Sequence, residues 1–190
     1  MIESNGGRLT ILGRKREREM KRMSIPLGLA LLLLGPLCEA DELVFDVTSP
    51  SITITVPNVP QMKMEPHPLN KTQPHLRLMG FEGPYTVSVL TPTADPGMTP
   101  SDCAGSIIAS LSQRPGAPQQ SQIYKARIND RTFLAIYALP APKAVQLHAH
   151  LVSAAGGTHC VDVHVSKIST SQDDLKPWFK NWEKANIDAK

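Results

Sequence analysis

The sequence predicts an α+β fold in which an antiparallel sheet is covered by helices. Three observations predict it. The stretch Val145 to Ile168 reads as two alternating strands broken by Ala154, Ala155, Gly156 and Gly157. The run Phe133 to Leu139 is apolar at every position, as expected of a central strand covered on both faces. Two segments, one opening at Thr99 and one near Asp174, carry apolar residues at helical spacing behind capping signals.

The N-terminus is read first as an address. A basic stretch, Arg14 to Arg22, precedes an apolar run of 14 residues from Ile25 to Cys38 that contains Pro26 and Pro36. A membrane-spanning helix needs roughly 20 apolar residues, so the run is too short to span. With Cys38-Glu39-Ala40 as a small-x-small-like site, residues 1–40 read as a secretory signal cut after Ala40. Its style is bacterial, and the expected location is periplasmic or secreted. Residues 1–19 are long for such a region, so Met20 and Met23 are alternative starts. Modification of Cys38 as a lipoprotein is disfavoured by the bulky Leu37 before it.

Of 20 Lys+Arg and 17 Asp+Glu, seven basic and four acidic residues lie in 1–40, leaving 13 of each in residues 41–190. The working chain is formally neutral, so nothing points to nucleic acid or an anionic membrane as partner. No membrane span remains after cleavage. At this length 41–190 is one domain, long enough for a core that needs no disulfide.

In order, Leu43–Val47 and Ile52–Val56 are strands split by Ser49-Pro50-Ser51. The segment 57–75 holds five prolines (57, 60, 66, 68, 74) and is expected to be irregular, without ladder or helix. Leu76–Met79 and Tyr85–Thr91 form strands about Gly80 to Pro84. Thr99 caps a helix with Pro100 first and Asp102 in the first turn. Its inward stripe is Cys103, Ile107, Ile108 and Leu111, and Arg114-Pro115-Gly116 ends it. Gln122–Ile128 and Thr132–Leu139 form a hairpin turning at Asn129-Asp130-Arg131. A last helix is expected from Asp174, its cap, to Asn186, with Leu175, Trp178, Phe179 and Trp182 on one stripe. Both tryptophans read as core.

In the 145–168 ribbon, Val145, Leu147, Ala149 and Leu151 share a face with Val161, Val163 and Val165. Gln146, His148 and His150 share the other with Cys160, Asp162, His164 and Ser166. A hairpin that keeps the apolar faces together pairs residues whose numbers sum to an even value. A three-residue loop Ala155-Gly156-Gly157 sets His150 opposite Asp162 and His148 opposite His164. His148, His150, His164 and Asp162 are the candidate metal ligands, for Zn²⁺ or Cu²⁺. The alternative is a histidine-rich polar face with no ligand. A second set, Met62, Met64, His67, His75 and Met79, has copper-binding side chains, though methionines also fill gaps under loops.

Cys103 and Cys160 are the only cysteines after cleavage, and an oxidising compartment favours a bridge. Parity opposes it, because Cys160 lies on the histidine face while the helix stripe should cover an apolar one. The bridge requires the helix to overlie the histidine side. Asn70-Lys71-Thr72 is a glycosylation sequon, discounted for a bacterial signal. No nucleophile elbow, phosphate loop or other catalytic set is present, and no cofactor motif beyond the metal candidates.

From Tyr85 onward the chain resembles the PsbP-like superfamily, including bacterial periplasmic DcrB-type proteins. The residues that carry the resemblance are Ala126 to Arg131 turning into Phe133-Leu134-Ala135, and Cys160 to Ser166 before an acidic-capped final helix. It covers about 105 residues by order of elements. It implies an α/β/α sandwich and a mostly non-enzymatic accessory or binding role, with the proline-rich stretch as a local insertion. The expected function is therefore that of an exported accessory protein with a protein partner. A periplasmic Zn or Cu binder and a secreted hydrolase are the alternatives.

Overall fold

The computed structural model describes residues 42–180 and 182–189. The expected signal segment 1–40 and its cleavage site lie outside the described residues. Chain order is β1 (Glu42–Thr48), β2 (Ser51–Pro57), β3 (Glu65–Pro66), β4 (Leu76–Glu82), β5 (Tyr85–Leu90), α1 (Pro100–Ser112), β6 (Tyr124–Arg127) and β7 (Phe133–Ala141). It continues with β8 (Ala144–Ala155), β9 (His159–Ser169), α2 (Leu175–Phe179) and β10 (Asn186–Ala189). Two antiparallel sheets result, a seven-stranded one ordered β3-β4-β5-β9-β8-β7-β6 and a three-stranded one ordered β1-β2-β10. The fold is α+β, as expected.

Period-two alternation decides what each face of the large sheet meets. Leu147, Ala149, Leu151, Val161, Val163 and Val165 point into the main core with Val87, Val89, Leu134 and Ile136. Leu43, Ile52, Ile54 and Val56 of the small sheet close that core, together with Trp178, Trp182 and Ile187. The layer opposite α1 is thus shared by short helical turns and the small sheet. Trp178 and Trp182 meet edge-to-face at 5.2 Å, both buried, so the tryptophans are core residues.

The other face of the large sheet lies under α1, which packs on β7, β8 and β9. β7 is one strand in from the edge and so is not central in order. Both its faces are nevertheless covered, Leu134 and Ile136 by the main core and Ala135 and Tyr137 by Ile108 and Leu111 of α1. The sheet edges are β3, two residues with a proline, and β6, four residues. Such short edges limit pairing with other chains.

Three expectations are corrected. The segment 57–75 is not free of ladder, because Glu65 and Pro66 pair with Met79 and Leu78; proline is tolerated there because the strand is an edge. The last helix is far shorter than 174–186. Lys180 leaves the helical region at φ −57°, ψ 129°, and the chain instead delivers β10 to the open side of β2, where Ile187 pairs with Ile54 and is buried. Burial of Ile187 outweighs the weak helical periodicity. Asp174 is not the side-chain cap either: its carboxylate accepts from the Ser169 hydroxyl. Ser171 caps the preceding turn by accepting from the Asp173 N–H at 3.1 Å.

The ribbon register is the third. Ala155 pairs with His159, so the loop is Gly156-Gly157-Thr158. Both glycines are left-handed, at φ 59° and 70°, a pair of conformations that only glycine adopts cheaply. The slip is two residues, so every side chain keeps its predicted face. His150 faces His164, His148 faces Ser166, and Asp162 faces Val152.

Replacing Ile136, 3% exposed in the main core, by Asp places a carboxylate in an apolar layer and should cost several kcal/mol. Urea unfolding checks this; a loss below about 1 kcal/mol would show that β7 is not covered on that side.

Candidate functional site

The site begins with the sequence that builds α1. Thr99 Oγ1 accepts from the Asp102 N–H at 3.2 Å, and Asp102 Oδ2 accepts from the Thr99 N–H at 2.9 Å. This reciprocal cap fixes where the helix starts. One residue on, Cys103 is bonded to Cys160, with Cα atoms 5.5 Å apart. The condition set by strand parity is therefore met: α1 overlies the histidine face. Cys103, Ala104, Val152 and Cys160 form a small apolar cluster around the bridge. Closing a loop with a sequence separation of 57 contributes about 4 kcal/mol through loop-closure entropy.

Beneath α1 the four predicted ligands come together, and Tyr137 joins them. His150 Nδ1 lies 2.9 and 3.1 Å from the two carboxylate oxygens of Asp162. The carboxylate accepts, so Nδ1 carries the proton, and in the neutral ring Nε2 accepts from the Tyr137 hydroxyl at 3.2 Å. His148 Nδ1 and His164 Nε2 are 2.9 Å apart; one donates and the other accepts. The rings are nearly parallel: His148 on His164 at 5.2 Å and 4°, His150 on His164 at 4.4 Å and 13°, Tyr137 on His148 at 4.7 Å and 14°. His148, His150, Asp162 and Tyr137 are buried, and His164 is half-buried.

Burial governs the protonation of this cluster. The His148 imidazole is pushed down to about 4, first by desolvation and then by the neighbouring His150. His164 is held well below the ordinary histidine range, by burial first, then by His150, His148 and Arg114. The Tyr137 phenol is pushed up to about 12, mainly by burial and also by the Asp162 charge, with Arg114 opposing. Tyr137, His150 and Asp162 thus have the connectivity of an acid–base relay with a hydroxyl that is hard to ionise. Its chemistry here is hydrogen-bond donation.

A cavity of about 390 Å³ lies between α1 and this face. His150, Asp162 and His164 form part of its floor, Ser106, Ile107 and Ser110 line it from α1, and His67 and His75 from the proline-rich segment. A second cavity of about 190 Å³ sits under the turn Arg114 to Pro118 and reaches Tyr137 and His148. His148 Nε2 is buried without a hydrogen-bond partner.

Imidazole lone pairs lie in the ring plane, and in a parallel stack they do not converge on one point. Among the described residues no group of three or more His, Cys, Asp and Glu has the arrangement of a metal site. The second candidate set is divided. Met62 and Met64 place their sulfurs 2.9 and 2.7 Å from where a Cβ on Gly80 would stand, against the main core; a side chain at position 80 would have to displace them. Met79, one residue along β4, points to the opposite face, while His67 and His75 line the larger cavity. Asn70 of the sequon donates to the Leu76 carbonyl at 2.6 Å, so its amide is engaged in holding the loop. His159 stands apart from the cluster and bonds Thr158 at 3.0 Å.

Tyr137 was missed because β7 reads as uniformly apolar, although one hydroxyl in a buried run was a signal that it needed a partner. Ser106, Ser110 and Arg114 are not found by sequence reasoning, because the helix stripe predicts that α1 covers an apolar face.

Comparison with known proteins gives little. No family model matches the chain, and no curated protein matches it. Among solved structures it is similar to the cyanobacterial PsbP (CyanoP) of Synechocystis sp. PCC 6803, determined in solution. The TM-score is 0.48 and the identity 12%, over 82% of this chain and 96% of that one. Neither membership of that family nor a function follows from a likeness of this size, and no family model or curated protein supports the DcrB-type branch.

The two depressed histidines set a pH dependence. In the unfolded chain they take up protons near pH 6.5, while in the folded state they stay neutral. The unfolded state therefore binds more protons, and stability falls as pH drops from about 6.5. His148 alone should cost roughly 2 kcal/mol by pH 5, and His164 acts in the same direction. Urea midpoints at pH 7 and pH 5 should show this loss, reduced in His148→Gln. Equal midpoints in the parent would contradict a buried, neutral His148 and His164.

Proposed function

We propose that this protein is an exported, non-enzymatic accessory protein that acts with a partner protein and binds a small ligand in the cavity under α1. The observation that supports this reading is the buried cluster of Tyr137, His148, His150, Asp162 and His164 opening onto a 390 Å³ cavity. Buried charge and hydrogen-bonding capacity destabilise a fold, and small-ligand sites have this size with a few convergent polar groups. Among the described residues no helix is long and apolar enough to cross a membrane. Export rests on the charge-then-apolar pattern of residues 14–38.

A second reading is a Zn²⁺ or Cu²⁺ site at His148, His150, His164 and Asp162. Its support is the unpartnered Nε2 of His148 beside two more imidazoles and a carboxylate. Binding of either ion would require the rings to turn out of their stack.

Thermal unfolding of the chain from Asp41 onward, with a library of small metabolites, tests the first reading. At least one compound should raise the midpoint of the parent and leave Ser110→Trp, whose indole would fill the cavity, unshifted. Stabilisation by Zn²⁺ or Cu²⁺ that is lost in His150→Ala and kept in Ser110→Trp would favour the second reading instead. N-terminal sequencing of the exported form should begin at or near Asp41; a chain retaining Met20 to Ala40 would contradict export.

A further inference from the structure

We propose that the cavity under α1 takes a small zwitterion of the amino-acid type, with its ammonium group on Asp162, its carboxylate on Arg114 and an apolar side chain against Leu90, Ile107 and Leu111. The inference rests on the cavity reading above and names its ligand class.

The argument starts from charge. Asp162 is 5% exposed, and buried carboxylates are ordinarily paired with a cation. Among the described residues the ion-pair partner of Asp162 is His150, which is charged only if protonated. Among the described residues no lysine or arginine bridges it, and the neighbouring rings His148 and His164 are held neutral by burial. Among the residues that line the cavity, Asp162 is the one carboxylate.

The opposite charge sits at the rim. Arg114 follows the C-terminal end of α1, is exposed, lines both cavities, and acts electrostatically on His164 and Tyr137. Among the described residues no carboxylate bridges Arg114. One buried anion and one rim cation on the same cavity are complementary to a ligand carrying both charges in reverse order.

Hydrogen-bonding capacity matches the same orientation. An ammonium group brings three donors. Asp162 offers a carboxylate, and Ser88, which pairs with His164 across β5 and β9, offers a hydroxyl oxygen on the same wall. His164 carries one further ring nitrogen beyond its bond to His148. The remaining wall is hydrocarbon from Leu90, Ile107 and Leu111, suited to an aliphatic side chain.

Calorimetric titration of the chain from Asp41 onward with L-leucine, isoamylamine and isocaproate tests this. The three share the isoamyl group and carry both charges, the cation alone and the anion alone. Leucine should bind saturably at one per chain, about tenfold or more tighter than the amine, each tenfold being about 1.4 kcal/mol; isocaproate should give no saturable heat. Arg114→Gln should bring leucine down to the level of the amine without weakening the amine, and Asp162→Asn should abolish both. If Asp162→Asn does not fold, Arg114→Gln and Ser110→Trp carry the test, since both positions are exposed. Isocaproate binding as tightly as leucine would overturn the proposal. So would absence of leucine binding while some other compound still loses its binding in Ser110→Trp, a result that leaves the cavity reading standing. If no compound shows binding that Ser110→Trp removes, both fall.

Discussion

The structure depends on one constraint: the polar face of the β8–β9 ribbon is buried. A sheet face bearing three histidines and an aspartate would ordinarily be left to water. Here α1 is fixed over it by the Cys103–Cys160 bond, and every polar group beneath has to find a partner inside the protein. The histidines meet most of that demand by stacking and by bonding one another, Tyr137 and Asp162, with His148 Nε2 left unpartnered. Burial then lowers the basicity of His148 and His164, which keeps those two rings neutral and mutually compatible. Charged rings at 4–5 Å separation would repel.

Helix placement also produces the cavities. A helix that packed flat on an apolar face would leave no space. Around the bridge small residues allow close approach, since Ala104 meets Val152 and Cys160. Farther along α1, ring edges and serines replace interlocking aliphatic chains, and 390 Å³ stays open. The same arrangement that brings Asp162 under cover thus leaves it beside free volume, the combination from which ligand recognition is inferred.

Much of this was legible in the sequence, for reasons that can be assigned. Strand faces follow from a period of two, which survives a two-residue slip; the faces of His148, His150, Asp162 and His164 were therefore correct although the register was not. The Thr99 cap is a local pattern and was readable to the residue. Which face α1 would cover was not readable, because helix and ribbon are far apart in sequence and the cysteine pair was the single link between them. The C-terminal helix failed for a similar reason: Trp178, Phe179 and Trp182 do pack together, but through a broken chain whose course is set by the open edge of β2.

The central claim is that His148 and His164 are enclosed and neutral. Ring-resonance NMR of the intact oxidised chain, with His148 and His164 assigned by single substitution, tests it most directly. Both rings should still give neutral-imidazole signals at pH 5.5, with one resolved N–H proton shared between them in slow exchange with water. Titration of either ring in the ordinary histidine range near 6.5 would show a face open to solvent and contradict the account.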